Sequence, residues 1–200
     1  MLIAHRGLVN NYDKENSLEA FKNAFRDTRY AGIELDIRTS LDKKLVVVHD
    51  FFIHGHFIKK TSSEELHSLG IPCLEEVLKL DTDKMFLIEI KEEDIDINNL
   101  LSILEKYSDR NIYVMSFHNK VIKELATLKP SFKCGILNYV FNSEYSYNEY
   151  DFVGLMNSTL TDDLVEYFKR KKIELFSYGL IGPVNNYFDD VYYIVDPEDI

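Results

Sequence analysis

Ile33-Glu34-Leu35-Asp36-Ile37 is the stretch whose reading decides the fold. It alternates apolar and acidic residues, the pattern of a β-strand with one polar side, so Glu34 and Asp36 project the same way. Met85-Phe86-Leu87-Ile88-Glu89-Ile90 is a second strand, and Glu89 and Lys91 repeat the arrangement at its end. A parallel strand buried on both faces should read as an apolar run, so the carboxylates are either the solvated face of an edge strand or a site of chemistry, and the repeat at Glu89 and Lys91 favours the second.

Outward from these two strands, short apolar runs alternate with segments of helical period. Ile3-Ala4, Leu45 to His49, Ile112 to Phe117, Cys134 to Val140, Phe152 to Met156, Ile173 to Tyr178 and Val191 to Val195 read as strands. Leu18, Phe21, Ala24 and Phe25 fall at helical spacing between Asn16 and Tyr30. Asn16 with Glu19 offers a capping box there, and Gly32 a stop. Further helices are expected over Leu74–Leu80, Asn98–Tyr107, Lys120–Leu128 and Thr161–Lys171, and a loop over Phe141–Asp151. With Leu45–His49 as an excursion from the second strand, about eight strand–helix units remain. That pattern predicts an α/β protein, a compact (β/α)8 TIM barrel with a short insertion after the second strand (51–69) and reduced C-terminal helices. A doubly wound open sheet fits the alternation as the second choice.

The 200 residues suffice for one substantial core, and no Pro/Gly/Ser-rich linker divides them, so a single domain over 1–200 is expected. The formal net charge of -11 makes the chain a poor binder of nucleic-acid backbones. No apolar run is long enough to span a bilayer. The opening Met1-Leu2-Ile3-Ala4-His5-Arg6-Gly7 does not read as a signal sequence. Cys73 and Cys134 exclude a disulfide scaffold and suit a reducing, cytoplasmic setting.

In a barrel, residues at the C-terminal ends of strands line the catalytic face. Glu34, Asp36 and Glu89 would converge there, and three acidic oxygen ligands suit one hard divalent cation, Mg2+ or Ca2+. His5 ends the first strand and His49 the excursion after the second. Two opposed imidazoles serve as acid and base near neutral pH. Arg6 offers a planar fork for phosphate oxygens. His54, His56 and His67 carry no such pattern, and His118 merely follows a strand end. Walker-type phosphate loops, Gly-x-Ser-x-Gly and zinc-type cysteine–histidine spacing are lacking.

These residues resemble a known family, the glycerophosphodiester phosphodiesterases. That family opens with His-Arg-Gly and then Glu-Asn before a helix, here His5-Arg6-Gly7 and Glu15-Asn16. Glu34-Leu35-Asp36, Thr39-Ser40-Leu41-Asp42, Val47-Val48-His49-Asp50 and Ile71-Pro72-Cys73-Leu74-Glu75-Glu76 follow in the family's order, then Glu89-Ile90-Lys91 and Ser116-Phe117. Each motif is weak alone; their order over the first 117 residues is specific. The chain departs from the family at Lys14 and Ser17, has Phe176-Ser177 for a Trp-Thr segment, closes on Val195-Asp196-Pro197, and has a short insertion.

The resemblance implies a metal-dependent (β/α)8 hydrolase of lipid metabolism that splits glycerophosphodiesters into an alcohol and glycerol 3-phosphate. It implies Glu34, Asp36 and Glu89 as metal ligands, His5 and His49 as the acid–base pair, Arg6 and Lys91 at the phosphate, and Glu15 and Asn16 as supporting groups, although capping explains Asn16 equally well. The expected partner is a small-molecule substrate, without nucleic acid or stable membrane insertion; the sequence leaves the oligomeric state unspecified. Two alternatives stay open: a lysophospholipase D-like phosphodiesterase, suggested by Phe51, Phe52 and Phe57 in the insertion, and a non-catalytic phosphate-binding barrel.

Overall fold

The computed structural model describes residues 1–10, 14–180 and 188–199. In chain order the elements are β1 (Leu2–Ala4), α1 (Leu18–Arg26), β2 (Tyr30–Thr39), β3 (Leu45–Val47), β4 (Phe52–Ile53), β5 (His56–Phe57), α2 (Ser63–Ser68), α3 (Leu74–Leu78) and β6 (Met85–Ile90). Then come α4 (Ile97–Leu104), β7 (Ile112–Ser116), α5 (Asn119–Thr127), β8 (Lys133–Asn138), β9 (Phe152–Met156), α6 (Asp162–Lys171), β10 (Glu174–Tyr178) and β11 (Val191–Val195). Among the described residues, eight of these strands pair in the order β1-β11-β10-β9-β8-β7-β6-β2, and β1 pairs with β2 to close the ring. Every pair in the ring is parallel. The molecule is therefore the expected (β/α)8 barrel and not an open sheet. As expected for an excursion, β3 lies outside the ring and runs antiparallel to β2.

Strand parity sorts the side chains. Ile33, Leu35 and Ile37 of β2 and Phe86, Ile88 and Ile90 of β6 pack outward under the helices. Ile3, Met85, Leu87, Tyr113, Phe152 and Phe176 pack together inside the ring. The narrow lumen is filled by setting glycines beside large side chains. Gly32 pairs with Met85 across β2 and β6, and Gly135 with Phe152 across β8 and β9. The lower lumen is closed by Lys133, whose ammonium donates to Tyr113 Oη and Glu174 Oε1, each at 2.7 Å.

The helices form where caps and apolar faces agree. α1 buries Ala20, Phe21 and Ala24, and its N-cap is Ser17, whose Oγ accepts from Ala20 N at 3.2 Å. This corrects the expected Asn16 capping box. Gly32 is likewise no helix stop: α1 ends at Asp27, and Gly32 lies inside β2. α6 begins at a Thr161 cap with Asp162 and Asp163 in its first turn and ends with Lys169, Arg170 and Lys171, charges that suit the helix dipole. Between β8 and β9 the expected loop takes a helix's place, with the Phe141 and Tyr147 rings 5.8 and 5.4 Å from Phe168 of α6. Most of the Gly179–Asp190 connection lies outside the described residues. Among the described residues, no helix is long and apolar enough to cross a membrane.

The 51–69 insertion folds as the β4–β5 hairpin, a 3-10 turn at Ile58–Lys60 and α2. It has a small core of its own, where Ile58 and Leu66 meet Val46, Val48 and Ile71. Asp42, in the β2–β3 turn, ties down the start of α2: its carboxylate accepts from Ser63 N and Ser63 Oγ, both at 2.7 Å.

A Cβ on Gly32 would lie 2.5 Å from Met85 O, a backbone atom that cannot swing aside. Gly32→Ala is expected to lower the unfolding free energy by about 1–3 kcal/mol, the usual cost of overpacking. Urea denaturation reads this as a lower midpoint; an unchanged midpoint would contradict so close an approach of β2 and β6.

Candidate active site

The acidic residues of β2 and β6 meet at the C-terminal end of the ring. Register places Asp36 beside Glu89, with Glu34 one inward position lower on β2. The three carboxylates each bring an oxygen within 4.8 Å of the others. Glu34 and Asp36 are almost wholly buried and Glu89 nearly so. Two oxygens on opposite sides of one Mg2+ or Ca2+ ion stand about 4–5 Å apart, so the cluster fits a single hard cation.

Cations and amides surround this cluster. Lys91 Nζ lies 2.7 Å from Glu89 Oε1 and 3.4 Å from Asp36 Oδ1. Arg6 N donates to Glu34 Oε2 at 3.1 Å, and Arg6 Nη1 to Glu15 Oε1 at 2.9 Å. Arg6 Nε is 3.3 Å from Asp36 Oδ2 yet makes no hydrogen bond, although it is buried. That leaves a donor aimed at the cluster for an anion to take. Arg6 and Asn16 both adopt positive φ, 54° each. The Asn16 amide is exchanged with Asp36: Nδ2 donates to Asp36 Oδ2 at 2.8 Å, and Asp36 N donates to Asn16 Oδ1 at 3.3 Å. Asn16 therefore supports the cluster and caps nothing. Gly7 lets α1 come close, since a Cβ there would sit 2.8 Å from the Ala20 carbonyl carbon.

The two histidines are each oriented by a carboxylate. His5 Nδ1 lies 2.9 Å from Asp196 Oδ1, and Nε2 lies 3.9 Å from Glu34 Oε2. His49 Nδ1 lies 2.8 Å from Asp50 Oδ1, and its carbonyl accepts from Arg38 Nε at 2.7 Å. Val48 N donates to the Asp36 carbonyl at 2.9 Å, so the chain carries His49 to the same rim as His5. Asp196 and Asp50 are orienting groups that motif reading passed over, and Arg38 fixes the His49 backbone. His118 N is held by Ser116 Oγ at 3.0 Å, and Ser116 Oγ donates to Ile90 O at 2.6 Å, so this corner is a structural latch.

Electrostatics follow from burial and crowding. Burial, aided by Asp36 and Glu89, pushes the Glu34 carboxyl up to about 8, with His5 opposing. Glu89 is also raised by burial, against the pull of Lys91. Burial works to lower the pKa of His5, but the Asp196 hydrogen bond and the Glu34 charge outweigh it and raise His5 to about 9. A small cavity of about 60 Å³ opens on His5, Glu34 and Glu89, and its remaining wall is apolar: Met115, Phe117, Leu137, Tyr178 and Ile194.

Fold and site together define a (β/α)8-barrel protein with a cation-type carboxylate triad between two oriented imidazoles at the catalytic mouth. The sequence profile of the glycerophosphoryl diester phosphodiesterase family matches residues 5–194, and the chain belongs to that family. A curated glycerophosphodiester phosphodiesterase of Caldanaerobacter subterraneus is 30% identical over 162 residues, 68% of this chain. The match covers 66% of that relative, so the chain spans about two thirds of its length. Among solved structures, the glycerophosphodiester phosphodiesterase of Thermotoga maritima is 26% identical with a TM-score of 0.73, covering 96% of this chain and 93% of that one. A phosphodiesterase of Oleispira antarctica, solved with its product sn-glycerol-3-phosphate, shares the fold at 19% identity with a TM-score of 0.76, covering 90% of this chain and 84% of that one.

The raised groups set a pH dependence. Glu34 binds its proton more tightly folded than unfolded, so its contribution to stability declines as pH rises from its ordinary 4.5 through about 8. The His5 contribution, full below its ordinary 6.5, is lost as pH rises through about 9. Both act in one direction. With chelator present, Tm is expected to fall steadily between pH 5 and pH 9, and millimolar Mg2+ or Ca2+ to flatten the decline. Scanning calorimetry across that window checks it; a Tm that rises with pH would contradict the assignment.

Proposed function

We propose that the chain is a phosphodiesterase that hydrolyses glycerophosphodiesters to an alcohol and glycerol 3-phosphate with one divalent cation, Mg2+ or Ca2+. The observation that carries this reading is the buried carboxylate triad flanked by two imidazoles, each with Nδ1 on a carboxylate. Such a Nδ1 contact fixes the ring and leaves Nε2 to exchange protons with a substrate. A purely binding barrel has no need of two rings so oriented.

In this reading Glu34, Asp36 and Glu89 hold the cation, which when bound supplies positive charge to the phosphate oxygens. The Arg6 guanidinium, with its unused Nε, and the Lys91 ammonium face the same oxygens and offset their charge. Glu15 and Asn16 position Arg6 and Asp36 respectively. One imidazole takes a proton from the attacking hydroxyl, either of water or of the substrate's own glycerol, and the other delivers a proton to the departing alkoxide. Asp196 and Asp50 keep His5 and His49 in the orientation that this exchange requires. We read residues 1–200 as one catalytic domain acting on a small molecule, and the free Cys73 and Cys134 as suited to the cytoplasm.

Turnover of glycerophosphocholine should require Mg2+ or Ca2+ and vanish on chelation. His5→Ala and His49→Ala should each lower kcat by about 10²- to 10⁴-fold with the fold intact by circular dichroism; near-normal turnover removes that ring from the mechanism. Glu34→Gln should weaken cation affinity by roughly tenfold or more, read by calorimetric titration. A cation-loaded protein inert toward every glycerophosphodiester would point instead to a binding barrel.

A further inference from the structure

The two imidazoles are not held alike. His5 is tied to another strand twice: its N donates to Val195 O at 2.9 Å, and its Nδ1 meets Asp196 at the end of β11. His49 is oriented by Asp50, its own neighbour in the chain, whose side chain is 67% exposed. That contact sets the ring relative to its own segment and cannot set the segment relative to the barrel. β3 pairs with β2 as far as Val47 opposite Ile37, Val48 N reaches Asp36 O, and the chain then bends at His49.

Two buried charged groups without a task in the acid–base scheme stand at this bend. Arg38, on β2, donates from Nε to His49 O at 2.7 Å. Its Nη1 lies 3.8 Å from Glu92 Oε1, and Glu92 Oε2 accepts from Thr39 N at 3.1 Å. The Arg38 and Glu92 side chains are only 14% and 5% exposed. Glu92 follows β6, the strand of Glu89, so it fastens the loop after β6 to the end of β2 and, through Arg38, to His49. Burying two charges costs free energy that apolar side chains of like size would spare, so stability alone is a poor account of the pair. The Arg38 fork is engaged by a carbonyl and faces a carboxylate of the protein itself, so its effect on the reaction passes through His49.

We propose that Arg38 and Glu92 are positioning residues for the acid–base step: Glu92 holds the Arg38 guanidinium, and Arg38 Nε holds the His49 carbonyl so that the ring faces the reacting phosphate. The proposal rests on the phosphodiesterase reading and deepens it. A proton-transfer group misplaced by about 1 Å loses about 10²-fold in rate, so the anchor of the His49 segment counts for as much as the orientation of its ring. Lys59 of the insertion meets the outer side of this brace, 3.8 Å from Glu92 Oε1 and 2.6 Å from Asp94 Oδ1. Its side chain is half exposed, so solvent screens its charge and it adds little.

The test uses glycerophosphocholine with Mg2+ or Ca2+ and the variants Arg38→Lys and Glu92→Gln. Lysine keeps the charge but lacks the fork that serves His49 and Glu92 together. Glutamine keeps an acceptor for Thr39 N but not the charge that faces Arg38. Each should lower kcat by about 10- to 100-fold, with KM and calorimetric cation affinity within about twofold of the parent. In a His49→Ala background the same substitutions should cost no more than about twofold, because the group they place is gone. Lys59→Met should leave kcat within about twofold. Without any turnover, the imidazole nitrogen NMR signals of His49, assigned by their loss in His49→Ala, should shift or broaden in Glu92→Gln while those of His5 stay.

Should Arg38→Lys fail to fold, the Glu92→Gln measurements decide. A full loss that persists in the His49→Ala background, or a defect carried by KM or cation affinity, places the pair elsewhere in the site and overturns the proposal. Unchanged kcat in Glu92→Gln with the His49 signals unmoved overturns it too, and leaves the phosphodiesterase reading standing. A loss in Lys59→Met equal to that in Glu92→Gln assigns the effect to the seating of the insertion and overturns the brace. If the wild-type protein hydrolyses no glycerophosphodiester, both readings fall.

Discussion

Three carboxylates pressed together out of water are the constraint on which the rest of this molecule turns. Charged oxygens within 4.8 Å of one another, in a site that excludes solvent, repel strongly unless something positive lies among them. The protein answers with groups brought from elsewhere in the chain, the Arg6 backbone amide on Glu34 and the Asn16 amide on Asp36, and with the Lys91 ammonium two residues on from Glu89. Only ring closure makes this work. Pairing of β1 with β2 sets His5 and Arg6 beside Glu34, and pairing of β2 with β6 sets Asp36 beside Glu89. The crowding that strains the cluster also suits it to a cation, because a divalent ion bound there would relieve the repulsion that burial amplifies.

The same lumen does two jobs at its two ends. Toward the N-terminal end of the strands it is packed solid by Tyr113, Phe152 and Phe176, whose ring centroids lie 4.8–5.7 Å apart. The family's Trp-Thr segment has become Phe176-Ser177 in this chain, and both residues serve packing: Phe176 joins those rings, and Ser177 Oγ donates to Asn157 Oδ1 at 3.1 Å. One inward step further up β10, Tyr178 reaches the cavity. A packed base thus lies beneath a rim that carries His5, Glu34 and Glu89 on one side and, on the other, Phe117 with the Tyr139 and Tyr178 rings against it.

Much of the fold and of the charged half of the site could be read from the sequence, for a physical reason. The alternation of Glu34 and Asp36 with apolar neighbours records strand geometry directly, and a catalytic face at strand ends follows from the barrel. What could not be read depends on contacts distant in sequence or on competing local signals. Asp196 stands 191 residues from His5, and no spacing rule joins them. Asn16 and Ser17 are both good capping residues; the choice fell to Ser17, with extended backbone at φ −110°, because Asn16 was committed to Asp36. Gly32 follows a helical stretch and so imitates a stop, while its function is to admit Met85 into the lumen. The aromatic half of the rim emerges only when the parities of β7, β8 and β10 are set side by side.

The way Asp42 clasps Ser63 bears on how such barrels diversify. The 51–69 excursion hangs from β3, packs Ile58 and Leu66 on Val46, Val48 and Ile71, and is buttoned to the β2–β3 turn through the Asp42 side chain and a hydrogen bond from Leu41 N to Thr61 O. It behaves as a cassette, replaceable by a longer or shorter segment without rebuilding the ring, provided the clasp travels with it.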